Sequence, residues 1–153
     1  MRKFAKISAV LTAMVLALAF VGCKDDDDDD DDPSVVTTWY CTEKDEEDGS
    51  VVTETLYFYD DNTFKAVSSS EGVDVTFATG SYTGDTTKNG NIAITIKKIV
   101  KGALDDSDSL ELVDAPAKYA SLFGVATISG NKMSTTMSTG DASSGELSVW
   151  IKK

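Results

Sequence analysis

Acid–base, metal and nucleophilic chemistry all need particular side chains, and this chain offers few of them. It contains no His, so the commonest general base near neutral pH and the commonest metal ligand are both missing. No Ser lies in a Gly-x-Ser-x-Gly turn, the setting that exposes a nucleophilic hydroxyl. Asp105, Asp106 and Asp108 crowd carboxylates together, but between Gly102-Ala103 and Ser109 they read as a solvated loop. Asp85-x-Thr87-x-Asn89-Gly90 opens like a calcium loop, with oxygen ligands at alternate positions and then Gly. The closing bidentate Glu is absent, because Ile96 stands at that position. Asp45 to Asp48 lacks the Gly spacing. These patterns predict no enzyme, no cofactor and no metal site. Two Cys remain. Cys41 has no His to activate it and reads as a small core or half-buried residue.

Cys23 sits differently. Arg2, Lys3 and Lys6 precede an apolar run from Ile7 to Val21. As a helix that run spans about 22 Å, short of a bilayer core of about 30 Å. A charged start, a short apolar middle and small residues at the end describe a secretory signal peptide over residues 1–22. Phe20-Val21-Gly22-Cys23 resembles a bacterial lipoprotein lipobox. The resemblance implies lipidation of Cys23 and a membrane anchor through the N-terminal lipid. It also implies a place in the cell envelope, at the outer membrane. Several acyl chains hold a protein on a bilayer far more firmly than one.

Lys24 and the unbroken aspartates Asp25 to Asp32 follow. With no apolar surface to offset ordering entropy the run stays unfolded, and charge repulsion keeps it extended. Residues 24–35 then reach about 40 Å. One reading is a solvated tether over residues 23–34. Another rests on resemblance: a Lys and acidic residues directly after the lipidated Cys resemble the surface-export signal of Bacteroidetes lipoproteins, which implies exposure at the cell surface. A flexible acidic run offers no fixed cage for calcium.

Residues 35–153, about 120, have the size of one domain. Short runs rich in Val, Ile, Thr, Tyr and Phe alternate with Gly, Asn and Asp turns, the pattern of an all-β chain. Trp39 and Cys41 share a face of the first strand, and Leu56 and Phe58 share a face of the second. Phe64 and Ala66 lie on the third. Val73, Val75 and Phe77 alternate, and a bend at Gly80 lets Tyr82 rejoin the core. Ile92, Ile94 and Ile96 mark a half-buried strand. Leu110 to Val113 reads as a short strand and 102–109 as a loop. One short helix is expected at 115–123, with Asp114 as N-cap, Gly124 past its end, and Tyr119, Leu122 and Phe123 facing inward. A hairpin turning at Gly130-Asn131 follows. The last strand is expected to put Leu147, Val149 and Ile151 on one face. About eight sequential strands predict an antiparallel up-and-down barrel, closed because closure removes exposed edges.

The order of several pieces is similar to bacterial lipocalin-like domains. They are Thr37-Thr38-Trp39 on the first strand, a strand–turn–Thr-Phe step from Tyr57 to Phe64, Gly80-Ser81-Tyr82, Asn91 to Thr95, and a closing aromatic–basic strand ending at Lys153. Thr37 takes the place of the family's signature Gly. In that family a C-terminal Arg packs over the Trp, and here Lys152 and Lys153 are the basic residues available. The resemblance implies an eight-stranded barrel that binds a small apolar ligand. Trp39, Leu56, Phe58, Phe64, Phe77, Ile94, Met133, Met137 and Val149 would line its cavity, or simply fill the core.

The charge bounds the partners. The chain carries −12, which disfavours nucleic acid and favours encounter with a basic protein. The alternative to a ligand carrier is therefore a surface-exposed module that binds or inhibits a basic partner, by analogy of fold and charge with envelope lipoproteins that inhibit lysozyme. The domain is expected to be monomeric.

Overall fold

The computed structural model describes residues 32–44, 49–105, 107–137 and 146–153. The signal run, Cys23 and the acidic run up to Asp31 lie outside the described residues. The chain enters at Ser34, whose N–H donates to Asp60 Oδ1 (3.1 Å) and whose carbonyl accepts from Asp60 N–H (3.0 Å).

The strands are β1 (Val35–Lys44), β2 (Val51–Tyr59), β3 (Thr63–Ser70), β4 (Val73–Thr83), β5 (Gly90–Val100), β6 (Leu112–Asp114), β7 (Val125–Ser129), β8 (Lys132–Met137) and β9 (Glu146–Lys152). Two one-turn helices, α1 (Gly102–Asp105) and α2 (Ala117–Ala120), lie between β5 and β7. Each strand runs antiparallel to its neighbours, and β9 returns to β1. The result is a closed eight-stranded antiparallel barrel.

Nine strands make eight barrel positions because β6 and β7 share one. Both pair with the same edge of β5, β6 against Lys98–Val100 and β7 against Gly90–Ala93. Ala115 N–H donates to Lys97 O (2.8 Å), and Ile94 N–H donates to Gly124 O (2.9 Å). The stretch from Leu112 to Ser129 is thus one strand interrupted by an excursion over residues 116–123. Its exposed start carries α2, and its end drives Leu122 and Phe123 into the core, 2% and 0% exposed. This corrects the expected helix at 115–123. Asp114 belongs to β6, Pro116 precedes α2 without a side-chain cap, and the helical turn stops at Ala120. Strand pairing to β5 claims the residues that would have begun the helix. The inward placement of Leu122 and Phe123 stands. Gly124 takes φ +51 as the chain rejoins the wall.

The barrel bends at two slips of register. Opposite Ala66 and Val67 of β3, β4 carries an extra residue at Phe77, so Phe77 and Ala78 are both buried. The phase change expected at Gly80 therefore falls nearer Phe77. Opposite Thr79 and Gly80, β5 carries the extra residue at Lys97. Gly80 itself lies where β4 presses on β5. A Cβ there would land on the Thr95 carbonyl oxygen and 2.8 Å from Phe64 Cε1. Gly80→Ala is accordingly expected to destabilise the fold by about 1–3 kcal/mol through overpacking, read as a lowered urea midpoint with unchanged slope.

Candidate functional site

Seven of the residues expected to face the interior do so together. Trp39, Leu56, Phe58, Phe64, Phe77, Ile94 and Met133 are all at most 2% exposed and belong to one core cluster. Met137 lies in β8, and its side chain falls outside the described residues. Val149 is a correction: it is 41% exposed, while Trp150 beside it is fully buried and Ser148 is 9% exposed. Alternation favours the Leu147, Val149 and Ile151 face, because Trp150 shares its own face with Glu146, Ser148 and Lys152. Trp150 takes the interior because its large ring gains most from burial and its N–H finds Thr135 Oγ1 at 3.0 Å.

Aromatic rings occupy the middle of the barrel. The Phe123 centroid lies 6.2 Å from Phe64 and 6.1 Å from Trp150, both edge-on. Phe58 meets Tyr82 edge-on at 4.9 Å, and Tyr82 Oη donates to Tyr59 O at 2.7 Å. Lys152 Nζ stands 5.9 Å from the Trp39 ring centroid, across the β1–β9 pairing.

The interior changes character along the strands. One layer pairs Trp39 with Leu56 and Leu56 with Ala66. The next pairs Cys41 with Glu54 and Glu54 with Ser68, and the last pairs Glu43 with Val52 and Val52 with Ser70. Ser68 and Ser70 are buried. Glu54 therefore turns a carboxyl into the barrel between apolar layers below and an exposed Glu43 at the rim. Among the described residues it has no hydrogen-bond partner or cation. Burial, and secondarily the Glu43 charge, push its carboxyl up to about 7. Sequence reading missed Glu54, although its parity with Leu56 and Phe58 already put it on the inward face.

Cys41 shares this environment. Burial first, then the charges of Glu43 and Glu54, raise its thiol to about 11. At pH 8 it is a neutral side chain. Alkylation of Cys41 by iodoacetamide in the folded chain should run roughly tenfold slower than that of an ordinary free thiol, because loss of thiolate outweighs the gain in nucleophilicity. A rate equal to that of the urea-unfolded chain would contradict this.

The loops divide by charge. The Glu54 end carries Glu43, Glu71, Asp74, Asp105 and Glu111 against Lys44 and Lys101. The opposite end, where the chain enters at Ser34, carries Asp32, Asp60, Asp61 and Asp85 against Lys88, Lys132, Lys152 and Lys153, so its described side-chain charges balance. There Asp85 accepts from Thr87 N–H (2.9 Å) and pairs with Lys88 (2.7 Å), which holds its carboxyl well below the usual range. Asn89 Oδ1 accepts from Gly130 N–H at 2.7 Å. The oxygens of the calcium-like stretch thus serve turn geometry.

Comparison with family models, with curated proteins and with solved structures finds no match to this chain.

Proposed function

We propose that this chain is a lipid-anchored envelope module that holds a lipocalin-like barrel off the outer membrane and binds a basic protein at the barrel's acidic end. The observation that carries this reading is the split of charge along the barrel. The tether joins the end whose described side-chain charges balance, so the acidic end with Glu43 and Glu54 is the end of the barrel farther from that junction. Cys23 supplies the anchor and Asp25 to Asp32 the spacer. Lys152 beside Trp39 gives the lipocalin resemblance the cation over the ring that it leads one to expect. A small apolar ligand inside the barrel has less support, because Phe123, Phe64 and Trp150 meet where it would lie.

Lysozyme serves as a basic probe. The full chain on vesicles should retain lysozyme at an ionic strength of about 0.15 M, where charges beyond about 8 Å are screened. Cys23→Ala should release the chain from membranes. Retention lost entirely as salt rises, together with lipid carried inside the barrel in native mass spectrometry, would favour the ligand carrier instead.

A further inference from the structure

The barrel closes unevenly. Among the described residues, the ladder between β1 and β9 consists of Trp39↔Lys152 and Tyr40↔Ile151. Lys153 N–H adds one bond to Thr38 O (3.0 Å). Every residue of β1 from Cys41 to Lys44 is paired with β2 on its other side. Leu147, Ser148, Val149 and Trp150 of β9 are likewise paired with β8. Toward the acidic end, β1 and β9 therefore face each other with no described pairing. On the far side of the same hairpin, the β7 ladder to β8 stops at Ala126↔Thr135. Among the described residues the outer part of the β8–β9 hairpin is therefore paired only within itself, and the notch is the stretch beyond Tyr40↔Ile151 where β1 and β9 share no ladder.

An unpaired strand edge presents a row of N–H and C=O groups to any extended chain. The chemistry around this one is selective. Its inward side carries Cys41, with Glu54 one strand further in and Glu43 at the rim. Its outward side carries Thr42 and Val149, both exposed and uncharged. A strand laid here would turn alternate side chains inward, and a Lys or Arg among them would meet a carboxyl that has no other partner among the described residues.

We propose that the notch between Cys41–Lys44 of β1 and Leu147–Trp150 of β9 binds an extended, basic segment of a partner protein by strand addition, with Glu54 receiving an inward Lys or Arg. This rests on the reading of the chain as a module for basic proteins and names how the partner is held.

The test uses hydrogen exchange of the full chain at about 0.15 M salt with the peptide acetyl-(Lys-Thr)4-amide. Amides of Cys41–Lys44 and Leu147–Trp150 are expected to gain protection. Acetyl-(Lys-Pro)4-amide keeps the charge but loses half the backbone donors, and it should bind at least tenfold more weakly. Glu54→Gln should weaken the first peptide about tenfold, read against the peptide-free exchange of the same variant so that its altered global stability cancels. Equal binding of both peptides, or protection elsewhere on the acidic end, overturns strand addition but leaves the basic-partner reading standing. No binding of either peptide, with no retention of lysozyme, removes both. Protection of Cys41–Lys44 that grows with protein concentration alone assigns the notch to a second copy of this chain and also overturns the proposal.

Discussion

Phe123→Ala is expected to cost about 3–5 kcal/mol, the range for removing a buried aromatic ring. The size follows from where the ring sits. Phe123 is fully buried and contacts Phe64 and Trp150 edge-on, geometries that add to simple area burial. It is delivered by the excursion that interrupts the β6–β7 row, a segment whose other core anchors are the smaller Leu122 and the half-buried Tyr119. Tyr119 N–H donates to Pro116 O and Leu122 N–H to Tyr119 O, both within the excursion itself. Without the ring, Phe64 and Trp150 keep their strand positions but lose the group that meets both. The variant should therefore unfold at a lower urea concentration with a similar slope. It should also gain affinity for a small apolar probe such as benzene, since a cavity lined only by apolar groups stays dry and accepts such molecules. A loss below about 1 kcal/mol would mean that the excursion packs outside the barrel and that the interior is closed by something else.

Phe123 also marks how far the sequence could be read. Its inward direction was legible, because an apolar pair before a Gly after a polar stretch has few other places to go. The nature of the segment was not. Asp114, Pro116 and Gly124 spell a helix by local rules, yet Asp114 pairs with Lys98 of β5, and long-range strand pairing overrode local capping. The strand count and closure were legible from alternation and turn chemistry, since each hairpin carries its own signal. The face of β9 was not, because alternation favours Leu147, Val149 and Ile151, while the single large ring of Trp150 turns the opposite face, with Ser148 and Lys152, inward. Glu54 was legible by parity alone. A Glu in a Thr-rich strand is ordinarily solvated, so parity by itself does not mark it out. Only the pairing of Cys41, Glu54 and Ser68 into one inward layer separates it from the other carboxylates. The charge split between the ends lies in the order of the loops, and it becomes visible once up-and-down connections assign each loop to an end.

Glu54 yields the second large effect, in the pH dependence of stability. Its ordinary value is 4.5, and in the fold it is pushed up to about 7. Below about pH 4.5 it is protonated in both states and contributes no difference. Between 4.5 and 7 the folded chain holds a proton that the unfolded chain releases, so the unfolded state binds fewer protons. Stability then falls as pH rises. Above about 7 the loss is complete and amounts to about 3–4 kcal/mol at roughly 1.4 kcal/mol per pH unit. The groups facing Glu54 do not obscure this. Cys41 titrates near 11, Ser68 carries no charge, and Glu43 sits exposed at the rim. With no His in the chain, and with Asp61, Asp85 and Asp105 all shifted downward, Glu54 dominates the window from pH 5 to 8 among the described residues. Urea unfolding at pH 5, 6, 7 and 8 should show wild-type stability declining across the series. Glu54→Gln should be nearly flat and should exceed wild type at pH 8, since an amide of the same shape has no charge to desolvate. A variant that keeps the wild-type slope would assign the proton to another carboxyl. A flat wild-type profile would mean that the Glu54 carboxyl reaches water, and that the acidic end is open as deep as the layer above Trp39.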